Sequence, residues 1–258
     1  MRLMKRILSA AAVLALSASL LVGCSSGTAS SVPVSASSAA ESTVSSVEET
    51  ASSAVDENEA AVAQLLNDLT GSYQELWPVI LADEYKQTWL DDCTALVGED
   101  NAEAAFEKLS SMVTGDVYGE DAVKAYANGG GAYFCGFTNS LAILTFDGET
   151  STISGTDKDG NVLFSHTYHY IGMEPVRGLY EFQSDDAESG EFTYFFLAPD
   201  TSAETYHIEF RYGSDVEALS QYDTGEYAFW LASGISTDCD QTMIDNCIEL
   251  FCTENLAG

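Results

Sequence analysis

The chain has 258 residues and a formal net charge of −32, from 41 acidic side chains against nine basic ones. That balance excludes nucleic acid and anionic lipid as electrostatic partners and leaves cations as suitable ones, although solubility alone would also account for it. A hydrophobic fraction of 46%, with 11% aromatic residues, is enough to bury a core.

The first segment pairs Arg2, Lys5 and Arg6 with an uncharged apolar run from Ile7 to Gly23. It ends on Leu21-Val22-Gly23-Cys24, an apolar residue and small residues before a cysteine. This is the layout of a lipoprotein signal peptide, residues 1–23, with Cys24 as the acylated residue. The expected location is therefore extracytoplasmic, anchored to the cell membrane through lipid on Cys24. Residues 24–57 are almost all Ser, Ala, Thr, Val and Glu, with one proline and no aromatic. Such a stretch cannot bury enough apolar surface to offset its ordering entropy, so it reads as a tether. Residues 58–258 are expected to form one domain.

Val62, Leu65, Leu66 and Leu69 recur at helical spacing, with Gly71 as a stop signal. Further helical stretches follow at about Glu84–Val97, Ala102–Met112 and just after Gly119. From Gly131 the period changes to that of strands: Ala132–Thr138, Leu141–Phe146, Thr150–Ser154, Val162–Tyr170, Gly178–Gln183, Phe192–Leu197 and Thr205–Tyr212. Asp147-Gly148, Lys158-Asp159-Gly160, Ser189-Gly190 and Ala198-Pro199-Asp200 punctuate them. Helix returns near Asp215–Leu219 and over about Gln241–Cys252. The fold class this implies is mainly β with helical flanks, an antiparallel meander closed as a barrel or folded as a sandwich.

Five cysteines follow Cys24: Cys93, Cys135, Cys239, Cys247 and Cys252. Their spacing matches no metal knuckle, and an odd number cannot pair completely within one chain. They read as buried thiols with room for one disulfide. The Asp185-Asp186 turn, with Glu188 and Glu191, reads as a solvated acidic hairpin tip. The tryptophans Trp77, Trp89 and Trp230 read as core. No nucleophile elbow, phosphate-binding loop or His-Glu-x-x-His occurs, so no enzymatic activity is expected.

In Thr205-Tyr206-His207-Ile208-Glu209-Phe210-Arg211-Tyr212 the side chains alternate. His207 and Glu209 share one face, about 7 Å apart. They can reach one cation or stand in solvent, and the strand itself leaves both readings open.

The chain resembles the ZinT (YodA) family of exported zinc- and cadmium-binding proteins with a lipocalin-like (calycin) barrel. The resemblance is carried by Gly71-Ser72-Tyr73-Gln74-Glu75-Leu76-Trp77-Pro78, Tyr168-His169-Tyr170-Ile171-Gly172, Arg177-Gly178-Leu179-Tyr180, Ala198-Pro199 and Tyr206-His207-Ile208. It implies an antiparallel barrel preceded by short helices and closed by a C-terminal helix. The family's site uses a histidine before Ala-Pro and a His-x-His pair after it. Here phenylalanine (Phe195 or Phe196) takes the first position and only His207 of the pair survives. One imidazole does not make a tight zinc site, which needs three or four protein ligands. Glu209, His169 and Glu204 are the expected substitutes, with Asp200 and His166 as further candidates. The resemblance thus implies a divergent site for Zn²⁺ or Cd²⁺, and a metal ABC transporter as a partner. The alternative is a barrel without metal that holds a small apolar molecule or a protein partner.

Overall fold

The computed structural model describes residue 62 and residues 64–127, 131–198 and 207–257. The expected signal segment, Cys24 and the tether lie outside the described residues. Among the described residues, no helix is long and apolar enough to cross a membrane.

Eight strands form the wall: β1 (Gly71–Glu75), β2 (Ile143–Asp147), β3 (Thr152–Thr156), β4 (Val162–Met173), β5 (Tyr180–Ser184), β6 (Tyr194–Leu197), β7 (His207–Gly213) and β8 (Ala232–Ser236). Each is antiparallel to its chain neighbour, and β1 pairs with both β2 and β8, so the sheet closes into a barrel in sequence order. Closure leaves no edge strand to template aggregation. Among the described residues, helices accompany the wall at residues 64–68 and at α1 (Leu76–Ile80), α2 (Lys86–Val97), α3 (Glu99–Val113), α4 (Glu120–Ala127), α5 (Val216–Leu219) and α6 (Gln241–Leu256). This bears out the expectation of a mainly β fold with helical flanks and a C-terminal helix.

Three strand expectations are corrected. Ala132–Thr138 is not a strand; Phe134 makes isolated bridges to Thr114 and Trp230. Its backbone bonds outside the sheet, with Phe134 N–H donating to Phe229 O and Tyr133 N–H to Met112 O in the last turn of α3. Conversely, Gly71 does more than stop a helix, because β1 begins on it, and β8 was not anticipated.

An eight-stranded barrel has an interior about wide enough for side chains. Here Phe146, Ile153, Phe182, Phe195, Phe210 and Tyr212 are buried there. Their rings pack edge-on or offset, as Phe195 and Phe210 do at 6.3 Å between centroids and Phe195 and Tyr168 at 5.4 Å. Full burial of each such side chain stabilises the fold by about 1.5–3 kcal/mol. Leu65, Leu66 and Leu69, before β1, join this same core.

A second core lies outside the wall. In α6 the buried positions are Ile244, Cys247, Ile248 and Cys252, a three-and-four spacing that makes one stripe. That stripe meets Trp89 and Cys93 of α2, Leu76, Trp77 and Ile80 of α1, and Ile235 of β8. Asp240 caps α6 by accepting from Met243 N–H at 3.0 Å. All three tryptophans are core, as expected: Trp77, Trp89 and Trp230 are buried.

Candidate functional site

Strand β7 decides where the candidate ligands point. Ile208, Phe210 and Tyr212 enter the barrel core. His207, Glu209 and Arg211 therefore face outward. The outer face of β7 is not bare. His207 and Glu209 are half-buried in a cleft of about 70 Å³ between the wall, α1 and α6. Leu76, Trp77, Ile80, Leu250 and Phe251 supply its apolar lining, and Cys247 and Glu254 its other polar groups. A space of that size holds a few waters or one ion with part of its hydration shell.

One imidazole, two carboxylates and a thiol thus open into one space. Cys247 and Glu254 are seven apart on α6, two helical turns on one face, and that spacing is the sequence signal that could have singled them out. Burial pushes the Cys247 thiol up to about 12, and the charges of Cys239, Glu254 and Glu209 add to the shift. The thiol is therefore neutral at pH 7 and becomes a ligand only if a cation displaces its proton. Cys135 behaves in the same way: burial, then the Glu209 charge, raises its thiol to about 12. The Trp77 indole N–H beside it is buried without an acceptor in hydrogen-bond geometry. Among the described residues, no three His, Cys, Asp or Glu side chains stand ready-arranged as metal ligands.

The other candidates lie elsewhere. His169 is on the outer face of β4, opposite in parity to buried Tyr168, and its Nδ1 is 2.6 Å from Asp185 Oδ1. Strands β5 and β6 intervene between β4 and β7. Three interstrand steps place the two backbones roughly 14 Å apart along the wall, beyond what two imidazoles span. The structure therefore brings His207 and Glu209 together and leaves His169 apart. His166, next along β4, has Nδ1 2.5 Å from Asp186 Oδ2 and stacks beside Phe164. The acidic turn is thus more than a solvated tip, since both aspartates hold histidines across the β4–β5 pair. Glu204 and Asp200 lie outside the described residues.

A second polar cluster was not visible in the sequence. Glu174 is fully buried, and its carboxylate accepts from Val176 N–H at 2.8 Å, Arg177 N–H at 2.6 Å and Tyr222 O–H at 3.1 Å. The guanidinium groups of Arg177 and Arg211 lie over the Tyr222 ring, 4.4 and 4.3 Å from its centroid. Arg211 is fully buried and donates to the carbonyls of Leu219, Gln221 and Tyr227. Desolvation lowers its guanidinium from the usual range. Both terminal nitrogens of Arg211 are bonded while its Nε is buried without an acceptor, and the cluster ties the segment after α5 to the wall.

What the fold and cleft define is an antiparallel eight-stranded barrel with a helical cap and a half-buried His–Glu pair beneath it. No protein-family model and no curated protein sequence matches the chain. Among solved structures it is similar to the Zn(II)-bound ZinT-like domain of Streptococcus pneumoniae AdcA, with a TM-score of 0.44 and 16% identity over 71% of this chain and 89% of that one. It is also similar to Zn(II)-bound AdcA from Streptococcus pneumoniae, with a TM-score of 0.42 and 14% identity over 72% of this chain and 35% of that one. The chain thus spans about a third of that longer protein.

Proposed function

We propose that this chain is an exported lipoprotein, acylated on Cys24, whose barrel domain binds a divalent cation, zinc or cadmium, weakly and passes it to a transporter. One observation carries the metal reading: His207 and Glu209 open into the same small cleft as Glu254 and Cys247. Imidazole, carboxylate and thiolate are the donors zinc prefers. The resemblance of the flanking sequence to the ZinT family supports the same reading. The incomplete ligand set argues for weak binding, completed by rearrangement within the cleft or by Glu204. The acidic surface favours cation approach. The residues around Cys24 support the anchor.

Calorimetry of the chain with Zn²⁺ tests the metal reading. Binding at roughly tens of micromolar, lost in His207→Ala, is the expected result for so small a ligand set. No heat, or heat unchanged by the substitution, overturns it. For the anchor, labelling of expressing cells with a fatty-acid probe is expected to mark the wild type and leave Cys24→Ser unmarked; equal labelling of both sinks it.

A further inference from the structure

We propose that Cys93 and Cys252 form a disulfide-bonding pair that staples α2 to α6. Their sulfurs are 3.9 Å apart, in van der Waals contact across the α2–α6 interface. Closing that gap to the bond length of about 2 Å needs roughly 1 Å of movement from each sulfur, within reach of a side-chain rotation. Both residues sit on the buried stripes that make the interface, Cys93 one turn after Trp89 and Cys252 one turn after Ile248. The other thiols are placed differently. Cys247 is five residues from Cys252 on the same helix, so the two point about 140° apart. Cys135 lies against the Tyr133 carbonyl at 3.8 Å.

The chemistry is thiol–disulfide exchange with a disulfide oxidant, such as oxidised glutathione. One cysteine loses its proton and attacks the oxidant's S–S bond, giving a mixed disulfide and one released thiol. The second cysteine loses its proton and attacks the protein sulfur of that mixed disulfide. The Cys93–Cys252 bond forms, and the oxidant leaves as its second thiol. Two thiols are oxidised and one disulfide is reduced. Both residues are 0% exposed once the helices pack. Burial also raises both thiols. The bond therefore closes during folding, and afterwards the same burial protects it from reductants. This inference is independent of the metal reading.

The test is to unfold and reduce the full chain, refold it with oxidised glutathione, alkylate free thiols and map the proteolytic peptides by mass spectrometry. The expected product is a linked pair carrying Cys93 and Cys252, with Cys135, Cys239 and Cys247 alkylated. The melting temperature of the oxidised chain should exceed that of the reduced chain by roughly 5–15 °C, given the long loop closed. Cys93→Ala should show neither the linked pair nor the shift. Cys93 and Cys252 both alkylated in the wild type, or a linked pair of different cysteines, overturns the proposal.

Discussion

At the residue scale, the outer face of β7 does two jobs within five positions. His207 and Glu209 line a cleft, and Arg211, two residues on, is sealed beneath the chain that follows α5. The difference lies in what covers each side chain, since all three share one face. Arg211 is the more consequential for stability. Its guanidinium donates to three backbone carbonyls, and the bonds to Leu219 and Tyr227 are buried. Arg211→Leu is expected to destabilise the domain by about 2–4 kcal/mol, because the orphaned carbonyls retain their desolvation cost. Urea denaturation measures this, and a loss below about 0.5 kcal/mol, the ordinary range for surface changes, contradicts the account. His207→Ala, in a half-buried position, should change stability far less. The two substitutions thus separate folding from binding.

At the element scale, the β2–β3 turn shows how closely the helical segment before β1 is pressed onto the barrel. A Cβ added at Gly148 would lie 2.5 Å from Asn67 Cα and 2.5 Å from Leu66 O, both backbone atoms that cannot rotate away. Gly148 N–H also donates to Thr70 Oγ1 at 3.0 Å, which fixes the turn at that spot. Gly148→Ala should therefore cost about 1–3 kcal/mol by overpacking and pull Leu65 and Leu66 away from the core. Faster hydrogen exchange over residues 64–69 is the signature to look for, and unchanged exchange there rules the contact out as a determinant. The same scale explains which strands were legible. The long aromatic alternation of β4 and β7 announces a wall with one apolar face. By contrast, β1 reads Gly-Ser-Tyr-Gln-Glu and β8 reads Ala-Ser-Gly-Ile-Ser, and β8 is buried at four of its five positions. Between the barrel core and the helical cap β8 has no solvent face, so no alternation marks it. Yet those two strands close the barrel.

At the scale of the whole molecule, acidity sets the response to pH. The Asp92 carboxyl is held above its ordinary range by burial and then by Glu249, Asp245 and Asp91 around the α2–α6 seam. Glu181 is raised by burial and then by Glu174. An acid whose pKa is raised on folding stabilises the fold when protonated. Its contribution is present at low pH and lost as pH rises through the raised value. Asp157, held low by hydrogen bonds from Asn161, acts in the opposite sense, below about pH 4. Melting temperature should therefore rise slightly as pH falls from neutrality toward the ordinary carboxyl range at about pH 4, a small effect because solvent screens partly exposed groups. Asp92→Asn should flatten part of that slope, and added salt should shrink it. A melting temperature that falls as pH is lowered from neutrality toward that range contradicts this reading.

The sequence by itself determined the period of each strongly patterned element, the acidic surface, the aromatic core and the pairing of His207 with Glu209 on one face of a strand. Those follow from spacing along the chain, which local geometry converts directly into direction. Only the tertiary structure decided which face of β7 looks outward, that α6 covers it, and that Cys247 and Glu254 join the pair. It likewise decided that the histidines of β4 are held by Asp185 and Asp186, and that Cys93 meets Cys252 across 159 positions of chain. These depend on how the barrel closes and where the last helix docks. Closure rests on two short strands: β8 is buried on both sides, which erases its alternation, and β1 has a single buried residue to mark it.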